Sequence, residues 1–505
     1  MSLNTNIIFK RLSLLALVGV FLVVPASSQA AVSGGLKYSV IDGSARIDGC
    51  AAKKCPAHIV IPATIKVGAT SLAVTSIRDR AFYLANRITK VVIPSSVTRI
   101  GSSAFTENKL TRITIPSSVT SIGSGAFSYN LLSRITIPNG VVNIGSGAFE
   151  YNWLTSVSIP ASVTSIGSGA FQNNALSSVT IPAGVTSISA YAFAYNELTS
   201  INIPAGVTSI GDGAFYSNSI TAVDLPASIT DIGSYAFQGN PITSLSVDTS
   251  NTKFSGLNNV LFNKNQSVLL YHPEGLPGNY TVPAGVTDIG EYAFFGSHLN
   301  GVTIPEGVTH IGDGAFIDNK LTSLDLPDSI TDIDSYAFFA NKLHGVNIPA
   351  GVTRIGPGAF VASSMSNISV DSNNTSFSSL AGVLFNKDQT ELLAYPAGKV
   401  DSSKARYTIP SSVTSVVESA FSSCRLRSVV VPATVTSIGY SAFSDCTKLH
   451  DFYFAGDAPA LSSGDLPVGS VFYGIQKGAK AYRHSGAKGF PANGAKWAGL
   501  VVAAF

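Results

Sequence analysis

Apolar and polar positions along this chain recur with a period of 22 residues. From Lys90 to Gly239 one phrase repeats: an apolar strand ending in Ile-Pro or Leu-Pro, then x-x-Val-Thr-x-Ile-Gly, then Ala-Phe, then Asn. Pro94, Pro116, Pro138, Pro160, Pro182, Pro204 and Pro226 mark the beat, and a phenylalanine follows each by eleven residues, from Phe105 to Phe237. A fixed period of this length predicts stacked coils, each burying its apolar face against its neighbours only. In Leu110-Thr-Arg-Ile-Thr-Ile-Pro116 the alternation points Leu110, Ile113 and Ile115 inward and Thr114 outward. Equivalent strands of successive coils are expected to pair in parallel as a ribbon. Pro116 has no N–H for that ladder and turns the chain. Val119 and Ile122 bury the next side, Gly123 and Gly125 permit tight turns, and Phe127 fills the centre. So short a unit has no room for a long helix, so the back should be short β or 3₁₀ segments. The third residue after each Phe is Asn in nine units, a column placed to bond the turns of adjacent coils.

The pattern divides the chain. Residues 36–48 alternate around Asp42-Gly43, a hairpin signal; we expect residues 31–61 to cap the N-terminal edge, with a Cys50–Cys55 loop. The solenoid is expected over 62–450. Two interruptions, at about 248–281 and 371–408, carry matching text, Val260-Leu-Phe-Asn-Lys264 and Val383-Leu-Phe-Asn-Lys387. They read as inserted hairpins. From Asp451 the text leaves the pattern, with Phe452-Tyr-Phe454 as the expected last strand, and 451–505 reads as a C-terminal cap.

Composition changes this picture in few places. Charged residues make up 12% of the chain, about half the ~25% usual in globular domains. The net charge of +3 falls to +1 without Lys10 and Arg11, so no basic stripe suited to nucleic acid is expected. Residues 1–30 read as a secretory signal peptide: Lys10-Arg11, an apolar run from Leu12 to Val24, then small residues ending at Ala30. That run is shorter than the ~20 residues of a membrane span. The expected location is therefore extracellular or at the cell surface, with the periplasm as an alternative. In an oxidising compartment Cys50 and Cys55 read as a disulfide; with only His58 near, metal is the poorer reading. Cys424 and Cys446 stand in the Asn column; a small buried residue replacing Asn is at least as good a reading as a disulfide between adjacent coils, and they read as free or loosely paired thiols.

The strand Leu-x-x-Ile-x-Ile-Pro with its Asn or Cys column resembles leucine-rich repeats. The form Ile-Pro-x-x-Val-Thr-x-Ile-Gly-x-x-Ala-Phe is similar to BspA-like bacterial surface repeats, with some fourteen units between residues 36 and 454. The resemblance implies a right-handed leucine-rich-repeat solenoid used for adhesion or ligand capture, with no common catalytic residues. It also implies hairpin units interspersed in the stack. Many surface members carry a wall or lipid anchor, and no such signal is visible here.

Candidate chemistry is sparse. The seven histidines scatter through different units without the i, i+4 spacing of a helical metal site. Gly123-Ser-Gly125 and its copies lack the third glycine and helix of a phosphate loop. Asp248-Thr-Ser-Asn251 and Asp371-Ser-Asn-Asn374 supply oxygens of the kind calcium takes, but an Asp/Asn turn accounts for them more simply. No enzyme and no cofactor is expected. Binding has more support. Thr114 and Thr136 stand on the strand face beside Arg112 and Arg134, a stripe suited to glycans or extended peptides, or one set by β-propensity alone. Tyr129, Tyr151 and Tyr195 share one column, and Leu131 and Trp153 another. Such rings either pack between coils or form a hot spot for protein or a stacking platform for sugar. The expected partner is an extracellular protein or polysaccharide; the alternative is a structural or assembly role in the envelope or matrix.

Overall fold

The computed structural model describes residues 31–361, 365–399, 405–462 and 471–505; the leader at 1–30 lies outside them. The fold is a β-solenoid of stacked coils with no α-helix among the described residues. Each coil has three sides. Pro116 opens a turn closed by the Val119 N–H donating to the Pro116 carbonyl at 3.0 Å, and the same turn recurs at Pro138 and Pro160. The Val-Thr-x-Ile side that follows is a ladder of two-residue strands: Ser121–Ile122 pairs in parallel with Arg99–Ile100 before it and Asn143–Ile144 after it. On the Ala-Phe side, Gly125, Phe127 and Tyr129 donate to the carbonyls of Ser146, Ala148 and Glu150 in the next coil at 2.8–2.9 Å. Left-handed backbone at Gly125 and Tyr129 (φ 61° and 53°) alternates with Phe127 here. Tyrosine in that conformation is strained, and the hydrogen bond to the next coil holds it there.

The phenylalanines form a continuous stack from Phe82 to Phe237, with ring centroids 5.1–6.0 Å apart and planes within 10°. Each asparagine ties two coils together. Asn152 Nδ2 donates to the carbonyls of Phe127 and Phe149 at 2.9 and 3.1 Å, while Oδ1 accepts the Leu132 N–H at 3.1 Å. Cys424 and Cys446, read as free or loosely paired thiols with an inter-coil disulfide as the alternative, are joined in that disulfide with Cα atoms 4.7 Å apart. The reason is geometric: one column in adjacent coils sits at the strand spacing, within the 4.4–6.8 Å that a disulfide spans. Cys50 and Cys55 are also joined.

The strand face departs from expectation. A continuous ribbon was expected there, but the Leu-x-x-Ile-x-Ile strands pair mostly in twos, such as Arg134–Thr136 with Ser156–Ser158 and Ala222–Leu225 with Ser244–Val247. Longer ladders run on the other two sides: the Val-Thr-x-Ile strands pair continuously from Arg99–Ile100 to Ser165–Ile166 and again from Ser187–Ile188 to Asp231–Ile232. From Arg406 the face regains continuity, with Arg406–Thr408, Ser428–Val431 and Asp451–Phe454 paired in series, and it runs on past Phe454, expected as the last strand. Asp451–Phe454 pairs in parallel with Lys480–Arg483, which pairs with Leu500–Ala504.

The inserts are partitions. Phe254–Leu257 pairs antiparallel with Val260–Asn263, and Val268–Tyr271 returns to join the Val-Thr-x-Ile ladder at Asp288–Ile289. Leu261 belongs to the core on the N-terminal side, whereas Val260 and Phe262 belong to the next core. Leu384, and Val383 with Phe385, repeat the arrangement at the second insert. A strand apolar on both faces thus walls off successive cores, which is why the text reads Val-Leu-Phe without alternation. Asp248 Oδ1 accepts the Ser250 N–H at 2.8 Å, and Asn251 Oδ1 accepts those of Lys253 and Phe254 at 2.8 Å. These oxygens build the turn into the insert.

Candidate functional site

The strand face holds a cleft where neighbouring segments are unpaired. Between the extended segment at 112–115, which is not a paired strand, and the strand Arg134–Thr136 lies a space of about 520 Å³ lined by Arg112, Thr114, Arg134 and Thr136, with Ile113 and Ile135 in the floor positions of the alternation. Four of the nine candidate binding residues therefore share one cavity. Lys90 precedes Arg112 by 22 residues, as Arg112 precedes Arg134, so three cations stand in one column. Guanidinium groups in open clefts suit carboxylate or sulfate groups, which they bind in bidentate fashion.

The aromatic candidates divide. Tyr129 and Tyr151 stack with centroids 4.5 Å apart and remain 48% and 43% exposed. Burial of the Tyr129 hydroxyl, followed by the nearby carboxylate of Glu150, pushes that phenol above its ordinary range, so it stays a neutral donor. Leu131 is also exposed, and Trp153 is 65% exposed with no ring against it among the described residues. The Trp153 N–H donates to the Leu132 carbonyl at 2.9 Å, which puts its backbone two residues from Arg134. The aromatic patch and the basic cleft are therefore contiguous. Tyr195 stands apart: Asn173 occupies the intervening coil of its column, and its ring meets Tyr216 instead, edge to face at 5.3 Å.

Sequence reasoning missed two features. The near-zero net charge conceals a polar distribution: residues 78–134 hold eight Lys or Arg against two acids, and residues 197–334 hold fifteen Asp or Glu against three Lys. The second is a column two residues before the phenylalanines, containing Tyr191, Tyr235, Tyr292 and Tyr336. Tyr191 lies over Gly213 in the next coil, where a Cβ would meet the ring. Counting that column would have found it.

The polar groups that resemble catalytic sets are ladder contacts. His310 Nε2 lies 2.7 Å from Asp334, and Arg354 bridges Asp332 and Asp334 at 2.8 and 2.5 Å. Residues 288, 310, 332 and 354 are paired strand positions, so these side-chain contacts link neighbouring coils. Among the described residues no helix is long and apolar enough to cross a membrane.

Comparison with known proteins places this architecture. A leucine rich cell surface protein from Faecalibacterium prausnitzii is similar at 26% identity and a TM-score of 0.51, covering 85% of this chain and 96% of its own. A leucine-rich repeat protein from Bacteroides ovatus shares 24% identity over 66% of this chain and 92% of its own, with a TM-score of 0.42. The pneumococcal vaccine antigen PcpA shares 19% identity over 91% of this chain and 94% of its own, with a TM-score of 0.39. No curated protein sequence gives a significant match. The profile of the BspA type leucine rich repeat region matches residues 75–199, 186–268, 278–386 and 401–463. With more than half of its length matched, and with its coils, Asn column and inserts arranged as described, this chain belongs to the BspA type leucine rich repeat family.

Proposed function

We propose that this chain is a non-enzymatic recognition protein, exported through its apolar leader and working outside the cell or at its surface. Its binding face is the Arg112–Arg134 cleft together with Tyr129, Leu131, Tyr151 and Trp153, and its ligand is an extracellular protein or polysaccharide carrying acidic groups. Family membership supports a protein-interaction role in general, and repeat solenoids of this kind are typically without catalytic activity. The observation that carries the more specific reading is Trp153. A tryptophan 65% exposed beside a basic cleft contributes little to folding, whereas at an interface such a ring commonly anchors binding.

Screening the protein against glycans and matrix proteins, with Trp153→Ala and Arg134→Ala in parallel, tests this. Trp153→Ala should weaken a saturable ligand by about 2 kcal/mol, roughly thirty-fold. Its melting should stay within about 0.5 kcal/mol of wild type. Arg134→Ala should weaken binding more at low salt than at high. A blank screen with a well-folded protein would favour a structural role in the envelope or matrix.

A further inference from the structure

A second cleft, of about 330 Å³, opens beside the first insert and is walled by aromatic rings alone: Tyr191, Tyr195, Tyr216, Tyr235 and Phe295. Faces and edges alternate around it. Tyr195 meets Tyr216 at 5.3 Å, Tyr216 meets Tyr235 at 6.4 Å, and Tyr235 meets Phe295 at 5.6 Å, each edge to face. Tyr292 packs on Tyr235 with centroids 4.3 Å apart. Tyr191, Tyr195 and Tyr235 hold φ of 55°, 55° and 60°. Tyr191 and Tyr195 are fixed there by N–H donation to Asp212 and Tyr216 of the next coil, both at 2.8 Å. These walls stand in place before any ligand arrives, which lowers the entropy cost of binding.

The charge around this cleft has one sign. Burial, then crowding by Asp313, Asp212 and Asp334, drives the Glu291 carboxyl above its usual range. Glu291 in turn raises the Tyr235 phenol, after burial and Tyr292, and Glu274 contributes to raising that of Tyr216. No Lys or Arg lines the opening, and residues 197–334 carry fifteen acids against three Lys. Aromatic faces carry negative potential that attracts cations, and carboxylates crowded beside them gain from a positive ligand. A primary ammonium must replace the water on three N–H groups with converging acceptors, whereas ring faces stabilise a tetraalkylated nitrogen directly.

We propose that the tyrosine cleft binds a quaternary ammonium group, held by cation–π contact with Tyr195, Tyr216 and Tyr235 and by the field of Glu291, the neighbour in sequence of the Tyr292 that packs on Tyr235. This site is separate from the Arg112–Arg134 cleft and stands whether or not that cleft has a ligand.

Calorimetric titration of the full chain with tetramethylammonium chloride tests it, with tert-butanol as neutral isostere and methylammonium as the primary ion. Tetramethylammonium should saturate one site and bind roughly ten-fold or more tighter than either comparison compound. Tyr216→Leu should lower its affinity by roughly ten-fold, and Glu291→Gln by roughly three-fold. Tyr195→Ser, at the exposed rim, should weaken it without changing the melt, and Trp153→Ala should leave it unchanged. Equal binding of tert-butanol would make this a plain apolar cleft, and equal binding of methylammonium would make it a primary-amine site. Binding of a neutral oligosaccharide in place of the cation, or no saturable heat, would likewise overturn the proposal.

Discussion

Phe171→Ala should destabilise its coils by about 3–5 kcal/mol, the range for truncating a fully buried phenylalanine. The side chain is inaccessible and stacks on Phe149 at 5.5 Å and on Phe193 at 5.7 Å, so its loss leaves both neighbours without a partner on one face. Stability in a solenoid is close to a sum of unit and interface contributions. The damage should therefore concentrate in the coils from Phe149 to Phe193. Hydrogen exchange should show lost protection at the Phe149 and Phe171 amides, while those around Phe316 and Phe421 keep theirs. A loss below about 1 kcal/mol, or one spread evenly along the chain, would remove the central stack from its role.

The second large effect concerns pH. In the first insert coil His272 stands where other coils have phenylalanine. It is buried, tilted against Phe294 at 5.1 Å and edge-on to Tyr280 at 4.7 Å, and its Nδ1 has no hydrogen-bond partner. Burial lowers its pKa to about 4, so the folded state binds fewer protons than the unfolded chain. Its contribution is present above the unfolded value near 6.5 and is lost as pH falls to 4, up to about 3 kcal/mol. Glu274, two residues on, behaves in the opposite sense. Burial raises it to about 7 against the pull of the Gly239 N–H at 2.5 Å, with Asp318 adding to the rise. Its contribution is present below pH 4.5 and is lost as pH rises to 7, by a similar amount. Between pH 4.5 and 6.5 the two slopes oppose, and wild type should be nearly flat. Urea unfolding across this window should separate them. Glu274→Gln should expose the loss on acidification, and His272→Phe the loss on raising pH. If His272→Phe kept the wild-type profile, this assignment would fail.

Much of the coil was legible because its signals are local. Ile-Pro ends a strand through a missing donor, Phe at a fixed offset fills a centre, and an Asn every 22 residues can only bond its neighbours. Strand pairing was not legible, because Leu110–Ile115 carries β-propensity whether or not it finds a partner. The longer ladders run on the other two sides, at Ser121–Ile122 and at Gly125–Tyr129. The strands at 480–483 and 500–504 escaped notice because Ala481 and Val502, though buried, give a weak alternation in alanine-rich text. For the candidate site, chemistry was legible residue by residue but grouping was not. Tyr129 and Tyr195 share a column, yet coils intervene, and Arg112 and Arg134 line one cavity because the segments that carry them are unpaired with each other.

The two-sided strands at Val260–Asn263 and Val383–Asn386 bear on how the molecule would fail under load. A coil stack without walls would peel from either end one turn at a time, each turn giving way as readily as the last. Here a tear reaching Leu261 or Leu384 must pull a strand out of two cores at once. Stretched from its ends, the chain should give way in three separated rupture events, and a break in one section should leave the other two intact.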